Sequence, residues 1–198
     1  MSKSQEQQIK IIEAAISSFA VKGLEKTTYT YLAKLCGISR PLIHHYFPAL
    51  EDLFLLTARY VRETLLKLAI DEMQKNDLKD PVAQLNGYSR GCLNWVRDYP
   101  HQCSFWFLYY YQSSRSSLAR KENTELVTAG HNRITSLLEQ GNQLGIWKIA
   151  DCTYEAKKIQ VLVTGVMVSC MTEDGYLSLE KAADIFFDYF QKMKIKTK

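Results

Sequence analysis

The chain has 198 residues, 46% of them hydrophobic and 23% charged, and a formal net charge of +4. That length holds one good-sized core, or a small domain joined to a larger one, and that composition excludes a disordered chain. The mild basicity is compatible with a polyanionic partner without requiring one, and five scattered cysteines with no C-x-x-C exclude a disulfide framework and a zinc knuckle, as in a reducing cytosol.

The N-terminal MSKSQEQQ lacks the apolar centre of a signal peptide. Residues 5–22 place Ile9, Ile12, Ala15, Ile16, Phe19 and Ala20 at helical spacing, and Gly23 offers a stop. Thr27-Thr28 then offers an N-cap for a short helix from Tyr29 to Cys36, with Leu32, Ala33 and Leu35 available for burial. Gly37 breaks it, Ser39 caps a third helix and Pro48 ends that one. Ala49 to about Lys75 reads as a long fourth helix, with Glu51 and Asp52 at the positive end of its dipole.

NDLKDP (76–81) is the clearest linker. A helical stripe follows from Pro81 to Asp98 through Leu85, Tyr88, Cys92, Trp95 and Val96. QCSFWFLYYYQ (102–112) is aromatic almost all round, which suits an enclosed helix; a strand is the other reading, with no partner strand evident. Leu126, Gly130, Ile134, Leu137, Leu138 and Gly141 form another stripe, ending at the turn GNQLGIW (141–147). Helices at about 153–172 and 178–193 follow, separated by Glu173-Asp174-Gly175, and the KIKTK tail frays. The stretch 159–171 is interrupted and too short to cross a bilayer. The expected architecture is all-α, about nine helices, in a soluble cytoplasmic protein with no membrane partner.

Two short helices joined by a tight glycine turn and braced by a preceding helix form a helix-turn-helix. Ala33 is small where the helices cross, Gly37 permits the turn, and Ile38 and Ile43 pin the second helix. Side chains at the start of that second helix can enter a major groove about 12 Å wide. Arg40 suits a bidentate guanine contact, Pro41 and Leu42 suit thymine methyls, and Thr28 suits a phosphate. Residues 1–50 carry six Lys or Arg against three Glu, so the basic excess concentrates there.

Chemistry at this stretch has competing explanations. His44 and His45 are adjacent, so they point about 100° apart on a helix and cannot grip one metal ion as an i, i+4 pair does. His101 and His131 are remote from them, and no metal or other cofactor is expected. Ser39 is accounted for as a cap, with no G-x-S-x-G around it, so no catalytic residue is expected.

The stretch 11–54 resembles the N-terminal domain of the TetR family of bacterial transcriptional regulators. The matching features run in order: A-A-x-x-x-F ending in K-G, T-T opening the second helix, L-A then G-I-S, H-Y-F closing the third, and E-D-L starting the fourth. The resemblance implies a non-enzymatic homodimer on a near-palindromic double-stranded DNA operator, with a small-molecule effector in the larger C-terminal domain. By it, residues 1–50 are the DNA-binding domain, and 51–198 bind effector and dimerise, with 51–75 a connecting helix. Arg40, Pro41, Leu42 and His44 then face bases. Thr28, Tyr29, Thr30, His45 and Tyr46 lie near phosphates, Ser39 joins the contact set, and Ile43 and Phe47 are buried. The chain departs from the family at His44, where tyrosine is common, and at Leu50, where a phosphate-contacting lysine is common.

Two apolar regions carry double readings. Phe105, Trp106, Phe107, Tyr109, Tyr110 and Tyr111 are core, or line a pocket for an apolar or aromatic effector, with Gln102 and Gln112 as polar contacts and Tyr88 and Trp95 facing the same space. Val163, Val166, Phe186, Phe187 and Phe190 are buried within one chain, or pair with a second copy as a four-helix bundle, which Gly165 and Ser169 would help to approach. The leading expectation is a repressor released by its effector. An activator or effector-independent regulator is the alternative within regulation. A helical enzyme or ligand-binding module that has lost DNA binding is the alternative outside it, and Leu50 is what favours that one.

Overall fold

The computed structural model describes residues 2–172 and 176–194, without the side chain of Leu126. The expected turn at 173–175, the tail beyond Lys194 and the place of Leu126 in its stripe lie outside the described residues. Those residues form nine helices: α1 (Lys3–Lys26), α2 (Tyr29–Cys36), α3 (Arg40–Tyr46), α4 (Leu50–Gln74), α5 (Pro81–Asp98), α6 (Pro100–Arg115), α7 (Ser117–Gln143), α8 (Cys152–Thr172) and α9 (Leu179–Met193). The all-α expectation holds. The strand alternative for 102–112 does not, because the whole run lies inside α6.

Local chemistry sets the ends. Ser2 and Gln5 make a reciprocal capping box at the start of α1. That helix runs past its expected stop, breaking at Gly23 (φ 74°) and continuing one turn to Thr27. Thr27 is buried, and its hydroxyl donates to the Gly23 carbonyl at 2.8 Å and lies 2.9 Å from the Ser18 hydroxyl. The acid of the expected linker caps α5: Asp80 Oδ1 accepts from the backbone N–H groups of Val82 and Ala83.

The chain forms two compact units, residues 1–63 with 99–123, and residues 64–98 with 124–198. The first holds α1 to α3, the start of α4, α6 and the start of α7. Its centre is aromatic: Phe54 meets Phe19 edge-on at 5.4 Å, and Phe105 lies 5.8 Å from Phe19 and 5.2 Å from Phe54. Arg59 holds Glu122 through two parallel hydrogen bonds, and Tyr60 donates to Glu13 at 3.2 Å.

The second unit holds the rest of α4 and α7 with α5, α8 and α9. Leu85, Trp95, Ile134, Leu138, Trp147, Ile159, Phe186 and Phe190 are fully enclosed. Trp147 follows the turn after α7, and its indole N–H donates to the Leu138 carbonyl at 2.7 Å.

One burial expectation fails in the first unit. Leu35 is 47% exposed, and Cys36 takes its place at 2%. Leu32, Ala33 and Cys36 share one side of α2, and the next residue round the helix from that arc faces water.

Candidate nucleic-acid interface

The α2–turn–α3 unit is built from short-range bonds. Thr28 caps α2, its side chain accepting from the Tyr31 N–H at 3.2 Å. At the other end Gly37 adopts φ 64°, ψ 35°, a left-handed conformation that costs glycine little. Its N–H reaches the Lys34 carbonyl, and the Ile38 N–H the Ala33 carbonyl. Ser39 caps α3 by accepting from the Leu42 N–H at 3.4 Å, and Pro41 falls within the first turn, where no helical donor is lost. Ile43 and Phe47 are 0% and 1% exposed, anchoring α3 from beneath.

With those two residues buried, Arg40, Pro41, His44 and His45 are exposed, while Leu42 and Tyr46 are half-buried. Arg40 with His44, and Pro41 with His45, are i, i+4 pairs, so the exposed four make one continuous stripe. Ser39, Thr28 and Thr30 are exposed beside it. Lys22 of α1 places its ammonium 3.3 Å from the centre of the Tyr31 ring, a cation–π contact that ties the bracing helix to α2. Leu50 opens α4 half-buried, with Glu51 and Asp52 in the first turn.

Tyr29 is tied to the end of α3. It is half-buried, its hydroxyl donates to the Phe47 carbonyl at 2.8 Å, and its ring stacks on His44 with centroids 5.4 Å apart and planes 28° apart. Burial first, and then the Asp52 carboxylate, hold its hydroxyl above the usual phenol range. No local sequence pattern signals this contact between Tyr29 and His44.

Residues 11–57 match the family described as "Bacterial regulatory proteins, tetR family". Along almost the whole chain it is similar to the HTH-type transcriptional regulator BetI of Agrobacterium fabrum, 23% identical over 94% of this chain and 87% of that protein. The chain belongs to the TetR family. A shorter match, 31% identical over 46% of this chain and 41% of the other, joins it to the HTH-type transcriptional regulator RutR of Escherichia coli K12. In three dimensions the fold is that of a transcriptional regulator from Saccharomonospora viridis crystallised with choline, with a TM-score of 0.86 over 98% of this chain and 100% of that one, at 18% identity. The protein is therefore a TetR-family DNA-binding transcriptional regulator, and the stripe on α3 is its candidate contact surface.

The residues expected around an effector divide between the two units. In the first, Gln102, Trp106 and Tyr109 are buried and Tyr110 is half-buried. Tyr109 lies 5.0 Å from Trp106 and 6.1 Å from Phe54, and donates its hydroxyl proton to the Ala119 carbonyl at 3.1 Å. In the second, Trp95 is 0% exposed and Tyr88 is 8% exposed, with Cys92, Arg133 and Gln160 beside the latter. Burial drives the Tyr88 hydroxyl far above its ordinary range and pushes the Cys92 thiol up to about 12, so both stay neutral.

The apolar residues of α8 and α9 divide by burial. Val163, Val166, Phe186 and Phe190 are at most 6% exposed within the single chain, so they pack its own second unit. Phe187 faces outward, at 52%. The uncovered apolar surface on α8 is instead Tyr154 and Val161, and on α9 Ile185 joins Phe187. A side chain at Gly165 would meet open space.

Proposed function

We propose that the protein is a homodimeric cytoplasmic repressor that binds a near-palindromic operator through α3 of each protomer and releases it when a small molecule binds. The exposed stripe of Arg40, Pro41, His44 and His45 carries this reading, because a rigid seven-residue helix presents it on one face. Arg40 reads guanine, Pro41 and Leu42 meet thymine methyls, His44 faces a base edge, and Ser39, Thr28, Thr30, His45 and Tyr46 approach phosphates. Residues 1–50 then serve DNA binding, residues 51–75 connect, and 51–198 as a whole bind effector and dimerise. Chemistry is no part of this role.

Dimerisation uses the outward faces of α8 and α9, where Tyr154, Val161, Ile185 and Phe187 are exposed and Gly165 leaves room for close approach. The effector is small and apolar or aromatic, the class of ligand that tyrosine and tryptophan side chains suit. Choline, a cation bound by a structural relative, is the contrasting probe, since aromatic faces also attract a quaternary ammonium. Release requires the effector to favour one of two states, typically by about 1–3 kcal/mol of coupling.

Selecting bound DNA from a random library with the purified full chain tests the reading. Recovery of a two-fold symmetric site supports it, with half-sites separated by about one helical turn or slightly more. Recovery of no consensus contradicts it.

A further inference from the structure

Helix α3 has seven residues, and its last carbonyls find no partner inside so short a helix. Tyr29, the first residue of α2, supplies one by donating its hydroxyl proton to Phe47 O at 2.8 Å. The same ring lies against the imidazole of His44. An exposed imidazole on a helix otherwise samples several rotamers. A ring face beside it narrows that choice before DNA arrives, so less side-chain freedom is lost on binding. Asp52, in the first turn of α4, acts on the phenol electrostatically, so this one side chain is in reach of three helices.

We propose that Tyr29 is a positioning residue: it clamps the end of α3 and orients His44, and so governs base discrimination at the position His44 reads. The proposal rests on the reading that His44 faces a base edge. The alternative role for Tyr29, a hydroxyl contact to phosphate, conflicts with its hydrogen bond. A phenol has one proton, and Tyr29 gives it to Phe47 O. What remains is an acceptor, which a phosphate oxygen, itself an acceptor, cannot use. Burial and the Asp52 charge both keep the phenol protonated, so the clamp persists at neutral pH.

The test uses the full chain and a half-site obtained by selection from random DNA, with affinities measured for every single-base variant. Wild type is compared with Tyr29→Phe, Tyr29→Leu, a second ring-less variant Tyr29→Met, His44→Ala and the Tyr29→Leu/His44→Ala double variant. Thermal unfolding by circular dichroism verifies that each is folded. His44→Ala should lose about tenfold discrimination at one base pair of each half-site. Tyr29→Leu and Tyr29→Met should lose it at the same base pair, and the double variant should lose no more than His44→Ala alone. Tyr29→Phe keeps the ring and should retain most of that discrimination, with the salt dependence of binding unchanged.

Three results overturn the proposal. If the ring-less variants weaken binding to every sequence evenly, Tyr29 is structural only. If Tyr29→Phe lowers the salt slope by about one unit per half-site, the hydroxyl contacts phosphate after all. If His44→Ala loses discrimination and the ring-less variants do not, the clamp alone is wrong. A fourth result, His44→Ala with unaltered base preferences, removes the base-facing reading of His44 and the clamp with it.

Discussion

Gly141 and Trp147 occupy one another's space: a Cβ built on Gly141 would fall 2.0 Å from Cε2 of the Trp147 indole. The indole is 1% exposed and is held by its bond to the Leu138 carbonyl, so it cannot retreat without losing that bond. Gly141→Ala should therefore destabilise the protein by about 3 kcal/mol, the upper range for forcing extra volume into a packed core. Urea unfolding followed by tryptophan fluorescence measures this. A midpoint within error of wild type would show that the turn relaxes freely.

The Arg59–Glu122 pair sets an acid-side stability term. Its hydrogen bonds to Arg59, more than the charge alone, hold the Glu122 carboxyl below the usual carboxylate range. A depressed folded value means the stabilisation is present above the unfolded value of about 4.3 and is lost as pH falls through the folded one. Because Arg59 is 48% exposed, screening limits the pair to roughly 1 kcal/mol or less. Glu122→Gln should be slightly less stable than wild type at pH 7 and converge with it near pH 3. Parallel curves across that range would place the stabilisation elsewhere.

Leu50 stands where the family resemblance puts a lysine, at the start of α4. Leu50→Lys should tighten operator binding at low salt and steepen the dependence on salt by about one unit per half-site. Equal slopes for the two proteins would mean that this end of α4 is remote from phosphate.

Phe187 is the outward aromatic of α9, at 52% exposure, whereas Phe186 and Phe190 are core. Phe187→Asp should leave the fold intact and weaken self-association by at least about 2 kcal/mol, as expected for a central apolar anchor. Sedimentation equilibrium reads the change. An unaltered dimer would move the interface away from this face.

The sequence made legible what short-range chemistry decides. Thr28, Gly37, Ser39 and Pro48 bound the two short helices through caps and turns within a few residues, and they appear where expected. Periodicity identified an apolar side on α8 and α9 but not what covers it, which is why Val163, Val166, Phe186 and Phe190 turn out to be core. The misjudged Leu35 is an error of one position around the helix. Contacts distant in sequence left no local mark. Phe19 meets Phe105 and Tyr29 reaches Phe47 through tertiary packing alone.

Arg40 offers the most direct measurement of operator recognition, because it is exposed at the first turn of α3 and is the one arginine or lysine in the stripe. Binding of wild type and Arg40→Ala to the selected operator, and to unrelated DNA, should be titrated across salt concentrations. Wild type should form a salt-sensitive, sequence-specific complex. Arg40→Ala should lose about 1–3 kcal/mol on the operator and relaxed discrimination at one base pair of each half-site. Indistinguishable affinity and specificity for the two proteins would contradict operator recognition through α3.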